Sequence, residues 1–557
     1  MSSLIRTPHA AIKIWNYIDR ISAHGADKHQ ANLIKEEIVS TVSCQAIQTF
    51  KSKGDPVGRF NFVLAPTRNW ISVITPGSWC VIMMSNEPLN ENSFKKADPK
   101  LVKMFGRIDS IRAEVSTDSD GTRKTVYLVS GEDWGCMFNT ILYIDPIVAA
   151  AKDTKDSQGN VLFSVVEKYL LQNGNVPQKY TVYDNLQMLL SILGKPLLED
   201  VKVDRLAKAT YSIAMPEQAS RFFNFVDRSG KITYEQKLNK SIKLVVGKLV
   251  ATGKYVHVND GIGWVNPFAL VGQNSFWQVL MDNCNHALNE MFTEIRWLKN
   301  GPQLTVFSRI KPFSYGPTLT KSSLRSKFTL LPVHKLESSS VISINAGTSW
   351  KEKYNFVEIK LEFSELHLYG DVTKNKCQAS SSVNVYNREG FRPLIFNIRQ
   401  APGSSVGDLK KLDPTQLQPW ANLIKEWHFD THRLLNGQLT MTGSSEYIEV
   451  GNNILFDAGL INATPNFNSA SKDKSSNNFI LAHVESVTHN FDVASDGARQ
   501  FRTTVQFVRG ILVDKELKLI GEGALDKDSR KLTKDDSKNT ASVIASAAAE
   551  NPFNENS

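Results

Sequence analysis

One pentapeptide of the sequence could carry nucleophilic catalysis. Residues 403–407 read Gly-Ser-Ser-Val-Gly, the G-x-S-x-G pattern in which Ser405 would be the nucleophile. Such an elbow joins a buried parallel strand directly to a helix. Here the residues Arg-Gln-Ala-Pro stand before it, and the surrounding sequence is typical of antiparallel strands. The pattern therefore favours a flexible loop over a catalytic elbow.

Two histidines have the spacing of metal ligands. His428 and His432 lie four residues apart around Asp430, and on a helix they would share one face. The glutamate of the H-E-x-x-H pattern is absent, and no third ligand is evident. We interpret them as surface or packing histidines.

Two glycine-containing stretches resemble ligand loops without meeting their requirements. The Asp-Ser-Asp-Gly at 118–121 would need an acid at the end of a calcium loop, where the chain has Tyr127. In residues 247–255 five residues separate Gly247 from Gly253, and Tyr255 replaces the Ser or Thr of a phosphate loop. The first is a turn, and the second is not predicted to bind phosphate.

The remaining chemistry-bearing residues form no recognisable site. Nothing in the sequence places two of the 56 acidic residues across a cleft as glycosidases require. The five cysteines are odd in number, widely spaced and without a C-x-x-C pair, which favours reduced thiols over disulfides or zinc. They are Cys44, Cys80, Cys136, Cys284 and Cys377. We predict no catalytic, cofactor-binding or metal-binding residues, and we expect the protein not to be an enzyme.

Composition bounds the class of protein. A chain of 557 residues exceeds the size of a single hydrophobic core and should divide into roughly three or four units. Its 41% hydrophobic and 22% charged residues are ordinary for a soluble protein, and no apolar stretch is long enough for a membrane span. The first residues have no signal-peptide pattern, so we expect folding in the cytosol. The net charge of +9 is spread over 65 basic and 56 acidic residues, which argues against nucleic-acid binding as a main function.

The elements along the chain predict a mainly β protein with helical insertions, of the α+β class. Residues 1–36 are predicted to form a helical arm, because Ile12, Trp15, Ile18 and Ile21 are near helical spacing. Strands are predicted over 37–144, a helical insertion over 145–250, an accessory α+β region over 251–436 and strands again over 437–515. The accessory region includes a helix over 275–298 and another ending near 435. Residues 516–557 form a polar tail.

The two strand regions share an order of landmarks. Residues 107–121 align without a gap on 483–497, so that Ile108 meets Val484 and the Ser-Asp-Gly turns coincide. Upstream, 74–82 parallels 448–456 with Gly77 on Gly451, and 58–65 parallels 437–444. Any two antiparallel meanders share alternation and Asp-Gly turns. Four landmarks in the same order favour a true duplication.

Several segments resemble the baseplate hub proteins of contractile-tailed bacteriophages, a family related to the base domains of type VI secretion spikes. They lie at 51–85, 103–115, 125–135, 289–296, 302–313, 353–359 and 437–456, and the resemblance covers most of 40–515. It implies two tail-tube-like antiparallel β-barrels per chain, one in 37–144 and one in 437–515. It also implies a homotrimeric ring whose six similar barrels adapt a hexameric tail tube to a threefold spike.

The resemblance further implies partners and a location. The expected partners are the tail tube protein, the central spike protein, the tape measure protein and baseplate wedge or other hub-associated proteins. DNA would pass through the lumen without sequence-specific binding, and no membrane insertion is expected. The location would be the baseplate of the virion tail, after assembly in the host bacterial cytoplasm. Two alternatives stay open: a hub or spike protein with cell-wall hydrolase activity, and a secretion-system spike base.

Overall fold

The structure is a computed structural model. It describes part of the chain, in the following ranges. They are 7–18, 33–117, 121, 123–139, 219, 222–223, 242–246, 248–249, 255–256, 262–263, 275–298, 301–311, 331–361, 376–398, 400–401, 418–444, 446–461, 478–494, 496–513 and 517.

The described residues are mainly β, as the sequence predicts. The strands are β1 (His9–Ile18), β2 (Leu33–Val39), β3 (Cys44–Ser52), β4 (Arg59–Leu64), β5 (Trp79–Ser85), β6 (Val102–Thr117), β7 (Arg123–Asp133), β8 (Ile242–Val246), β9 (Lys248–Leu249), β10 (Tyr255–Val256), β11 (Ile262–Gly263), β12 (Asn289–Leu298), β13 (Gly301–Ile310), β14 (Val333–Lys335), β15 (Val341–Gly347), β16 (Phe356–Leu361), β17 (Lys376–Ser380), β18 (Pro393–Ile398), β19 (Gln400–Ala401), β20 (Leu435–Thr442), β21 (Asn453–Asp457), β22 (Phe479–Val493) and β23 (Arg499–Val513). The α-helices are α1 (Phe276–Asn283), α2 (Val383–Glu389) and α3 (Gln418–His428). Within these residues no helix is both long and apolar enough to cross a bilayer.

One large sheet joins both strand regions of the sequence. Its main path runs β15-β20-β23-β22-β3-β4-β7-β6-β5-β1-β2, while β21 pairs with β22 and β14 pairs with β21. Smaller sheets have the orders β12-β13-β8 and β17-β16-β18. Strands from near both ends of the chain therefore belong to a single hydrogen-bonded structure.

The large sheet contains the same arrangement twice. We call β3-β4-β7-β6-β5 the first unit and β15-β20-β23-β22-β21 the second unit. In both units all four pairings are antiparallel and link the strands in the same sequence order. The repeat predicted from the sequence is thus present as a repeated topology.

Local irregularities recur at matching positions of the two units. A β-bulge lies between Ile108 and Ser110 in the first unit and between Val484 and Ser486 in the second. The backbone N–H of Gly77 donates to the Ile108 carbonyl at 2.7 Å, and that of Gly451 donates to the Val484 carbonyl at 3.0 Å.

Both glycines also need the same backbone conformation. The φ of Gly77 is 87° and that of Gly451 is 80°, in a region that residues with a Cβ rarely adopt. Shared bulges and turns are specific features of a fold rather than general properties of hairpins. The match confirms the alignment of Gly77 on Gly451.

Neither unit closes into a barrel within the described part of the chain. Closure of the first unit would require β5 to meet β3, but β5 pairs with β1 and β3 pairs with β22. These pairings use the backbone groups that closure would need, so the first unit is an open sheet that continues into its neighbours.

The helical arm predicted for residues 1–36 is wrong where the structure describes it. Residues 9–18 and 33–39 form β1 and β2, an antiparallel hairpin. Strand β1 is buried on both faces: Ile12 and Ile14 enter one hydrophobic core, while Ala11 and Trp15 enter another. A strand covered on both sides loses the polar alternation that distinguishes it from a helix in sequence.

The helix predicted over 275–298 is correct only in its first part. It begins after Ser275, whose hydroxyl accepts a hydrogen bond from the backbone of Gln278, and it ends at Asn283. Asn285 has a φ of 49°, which reverses the chain into strand β12. The predicted packing of this helix on the following strand is confirmed, because α1 and β13 contribute side chains to the same core.

Two other predicted regions lie mostly outside the described residues. Of the helical insertion at 145–250, the structure describes residues 219, 222–223, 242–246 and 248–249, and the last two segments are strands. Of the polar tail at 516–557 it describes residue 517. The predicted helix ending near 435 is present as α3, which buries Ile424 and Trp427 against the sheet of β16, β17 and β18.

Candidate assembly surface

The large sheet is held together by a joint between the two units. The second half of β22 pairs antiparallel with β3, from Ser486 opposite Ser52 to Asp492 opposite Ala46. The first half of β22 pairs with β21 of its own unit. The long hairpin of β22 and β23 therefore extends beyond the second unit and adds strands to the first. We call this contact the internal joint.

The apolar side of the internal joint is fully buried. Phe491 lies opposite Ile47 on β3 and opposite Phe501 on β23. Phe491 is 0% exposed, Ile47 2% and Phe501 4%, and the three belong to the core of the first unit. The end of the β22–β23 hairpin thus completes a core that is otherwise built from the N-terminal part of the sequence.

A partly buried ion cluster closes one end of the internal joint. The Lys53 ammonium lies 3.1 Å from the Glu485 carboxylate and 3.0 Å from that of Glu290 on β12. The Lys53 backbone N–H also donates to the Glu485 carbonyl at 2.8 Å. Burial by itself would lower the pKa of Lys53, but the two carboxylates raise it above its ordinary value.

Further buried polar contacts fix the units and strand β12 relative to one another. The Glu294 carboxylate on β12 accepts hydrogen bonds from the Tyr447 hydroxyl at 2.6 Å and the Val450 backbone at 2.8 Å. Burial raises the pKa of Glu294 to about 7. The Lys103 ammonium of β6 donates to the Ser444 carbonyl at 2.9 Å, and burial lowers the pKa of Lys103 to about 7. These contacts link β6 and β12 to residues 444–450 of the second unit.

The first unit has an edge equivalent to the one that β22 uses. By the alignment of 107–121 on 483–497, residues 110–116 of β6 correspond to 486–492 of β22. They pair with β7 on one side, and no described residue pairs with them on the other. Their side chains are mostly exposed, and Val115 is 62% exposed. We call residues 110–116 the β6 edge.

The second unit has an edge equivalent to the one that β3 uses. Thr49 of β3 pairs with Phe60, and Ile344 of β15 pairs with Leu439, the residue aligned with Phe60. Residues 343–347 of β15 therefore correspond to 48–52 of β3, and a β-bulge between Val341 and Ser343 places Val341 at the position of Ile47. Strand β15 pairs with β20, and among the described residues nothing pairs with its other side. We call residues 341–347 the β15 edge.

The two edges fit each other as the strands of the internal joint do. If a β15 edge met the β6 edge of another copy in the register of β3 and β22, Val115 would lie opposite the bulge formed by Val341 and Ile342. Val115 is equivalent to Phe491 and Val341 to Ile47, and both Phe491 and Ile47 are buried. Ile342 is 54% exposed in the single chain, and Val115 is still more exposed. Unpaired strand edges that expose β-branched residues are templates for pairing with another chain.

Of the residues singled out in the sequence, the two histidines lie within the described part of the chain. Ser405 and the loop around it lie outside the described residues, as do 118–120 and most of 247–255. The ring of His428 is half-buried beside Tyr354 and Phe396, and desolvation lowers its pKa to about 3. The ring Nδ1 of His432 lies 3.2 Å from the Phe429 carbonyl.

The His, Cys, Asp and Glu side chains of the described residues were also compared with the geometry of metal sites and disulfides. Among the residues that the structure describes, no group of His, Cys, Asp and Glu could hold a metal ion. Cys44, Cys80, Cys136 and Cys284 are buried free thiols, and burial raises the pKa of Cys44 and Cys136 to about 12.

Sequence reasoning missed the two edges. The alignment that places Val115 on Phe491 was available, but an edge becomes visible only when strand order is known. The signal in the sequence was Val115, an apolar residue of β6 that aligns with the aromatic Phe491 of β22.

Comparison with known proteins gives structural likenesses alone. No protein-family model matches the chain, and no curated protein matches it. Among solved structures, a tail protein from Neisseria meningitidis MC58 has 10% identity and a TM-score of 0.39, covering 90% of this chain and 96% of that one. The 43 kDa tail protein of prophage MuSo2 from Shewanella oneidensis has 10% identity and a TM-score of 0.38. The match covers 90% of this chain and 98% of that protein. A chain of the Francisella PdpA-VgrG complex has 7% identity and a TM-score of 0.36. The match covers 91% of this chain and 58% of that one. With TM-scores below 0.5, these likenesses do not by themselves establish a common fold.

Proposed function

We propose that this protein is a structural component of a contractile phage tail, a baseplate hub in which copies join edge to edge into a closed ring. The observation that carries the proposal is the pair of complementary edges. Each chain has one β6 edge and one β15 edge, equivalent to the two strands that already pair within it. A contact between two different surfaces is heterologous, and it yields a ring when the rotation closes.

The two units set the symmetry of such a ring. Each chain contributes two units of the same topology, so three copies would present six similar units in a circle. One face could then bind a hexameric tail tube, while the chain symmetry remains threefold for a central spike. The resemblance of the sequence to hub proteins supports the choice of three copies, and the repeated topology supports the role as a symmetry adaptor.

The same proposal assigns partners and location. The ring would contact the tail tube protein, the central spike protein, the tape measure protein and wedge or other hub-associated proteins. Its lumen would let DNA pass without sequence-specific contacts. We place it in the virion baseplate after assembly in the host cytoplasm, without membrane insertion and without catalytic activity of its own.

A cross-linking experiment tests the edge pairing. Ala113 and Ile344 would lie opposite each other between copies, as His489 and Thr49 do in the internal joint. In the Ala113→Cys/Ile344→Cys variant, a short bismaleimide should link chains into a closed trimer. Each single variant is a control for reaction with native cysteines.

A register control sharpens the result. In the Glu114→Cys/Ile344→Cys variant the two thiols would lie on opposite faces of the sheet, and cross-linking should be much weaker. Equal cross-linking of both double variants, or none in the matched pair at high protein concentration, would refute the proposed joint. Mass measurement of the linked species distinguishes a trimer from open chains.

A further inference from the structure

We propose that the joint between copies is weaker than the internal joint, so that free chains stay separate and the ring closes when a tail component holds several copies together. This inference rests on the proposed edge pairing. It assigns a specific role to three positions, Val115, Thr125 and Thr348, at which the joint between copies lacks contacts that the internal joint has.

The first missing contact is aromatic. In the internal joint Phe491 and Phe501 lie opposite each other on β22 and β23, both buried beside Ile47. The corresponding pair on β6 and β7 is Val115 opposite Thr125. Two phenyl rings are thus replaced by a small aliphatic side chain and a hydroxyl. The partner position holds Ile47 in the internal joint and the smaller Val341, beside a bulge, in the joint between copies. Less apolar area can be buried between copies.

The second missing contact is the ion pair. Glu485 and Lys53 close the end of the internal joint, with ammonium and carboxylate 3.1 Å apart. The equivalent of Glu485 is Asp109, which keeps the carboxylate. Lys53 follows Ser52 of β3, and Thr348 follows Gly347, the corresponding residue of β15. The equivalent of Lys53 is therefore the uncharged Thr348. The joint between copies therefore lacks the cation that the internal joint places there.

The third difference is connectivity. The strands of the internal joint belong to one chain, so their pairing has a high effective concentration and no cost of bringing two molecules together. The joint between copies has fewer contacts and must meet that cost. A partner that binds several copies would raise their effective concentration to the millimolar range, roughly, and allow the edges to pair.

The test restores the missing contacts. We expect the purified wild-type chain to sediment as a monomer at about 10 μM. The Val115→Phe/Thr125→Phe/Thr348→Lys variant should form rings at concentrations about a hundredfold lower than wild type needs. Ser116→Phe adds one ring on the opposite face of β6 and is the matched control, which should sediment as wild type does. Because Val115 is exposed in the free chain, Val115→Phe alone preserves the fold and should shift assembly in the same direction.

Each outcome separates this inference from the proposed function. A wild-type chain that already forms rings at about 0.1 μM would overturn the inference while supporting the edge pairing. A triple variant that remains monomeric, although the Ala113→Cys/Ile344→Cys chains cross-link, would overturn the inference alone. Absence of that cross-link would overturn the edge pairing and the inference together.

Discussion

Truncation of Phe491 should lower the stability of the isolated chain, whereas truncation of the equivalent Val115 should mainly weaken the pairing between copies. Phe491 and Val115 occupy the same position of the repeat, one in the internal joint and one on the β6 edge. Phe491 is fully buried among core residues, so Phe491→Ala should lower the free energy of unfolding by about 3–5 kcal/mol. Val115→Ala removes about two methylene equivalents, worth about 1.6 kcal/mol when buried. Since Val115 is 62% exposed, the cost to the isolated chain should be about 0.6 kcal/mol.

The assay combines chemical denaturation of the isolated chains with the cross-linking yield of the Ala113→Cys/Ile344→Cys pair. Phe491→Ala should shift the first unfolding transition, because it opens a cavity in the core of the first unit. Val115→Ala should leave that transition nearly unchanged and reduce cross-linking. If Val115→Ala cost the isolated chain as much as Phe491→Ala, the β6 edge would already be covered within the chain and the reasoning would fail.

Three further predictions concern the contacts that fix the units. The pKa of Glu294 is raised to about 7, so the folded chain holds this proton more tightly than the unfolded chain does. The free energy of unfolding should therefore fall as the pH rises from about 4.5 to about 7. The Glu294→Gln variant should flatten that slope in denaturation experiments at a series of pH values. The pKa of Lys103 is lowered to about 7, so its contribution to stability has the opposite sign. The free energy of unfolding should rise between about pH 7 and pH 10.5, and the Lys103→Met variant should lose that rise. The same pH dependence in the variant would contradict the burial of the amine. A Cβ at Gly443 would overlap the Phe501 ring, so Gly443→Ala should destabilise the chain by about 1–3 kcal/mol, measurable as a lower denaturation midpoint, while an unchanged midpoint would show that the ring can move aside.

The sequence predicted the parts of the fold that local patterns determine. The matching positions of Gly77 and Gly451 were evident because a turn with positive φ and its flanking alternation are encoded within a few residues. Strand β1 was mistaken for a helix because neighbours distant in sequence cover both of its faces, and Trp15 meets Phe222 there. The change from α1 to β12 was missed because the apolar residues continue at helical spacing past Asn285.

The assembly surface could not be found in the same way. Whether Val115 is a core or an edge residue depends on which strand lies beside β6, and no pattern within β6 carries that information. The repeat supplied the equivalence with Phe491. The strand order then showed that one copy of the contact is complete within the chain, while the other has no partner strand among the described residues.

The internal joint also has a consequence for synthesis of the chain. Strand β3 is made early on the ribosome, but its neighbour β22 and the side chains of Phe491 and Phe501 are made near the end. The first unit therefore cannot finish its core while translation is under way, and long-range strand pairing of this kind forms slowly. A chain interrupted before residue 479 would keep the β3 edge uncovered and the core of its first unit incomplete. Completion of the first unit thus requires that the last strands of the second unit have been made.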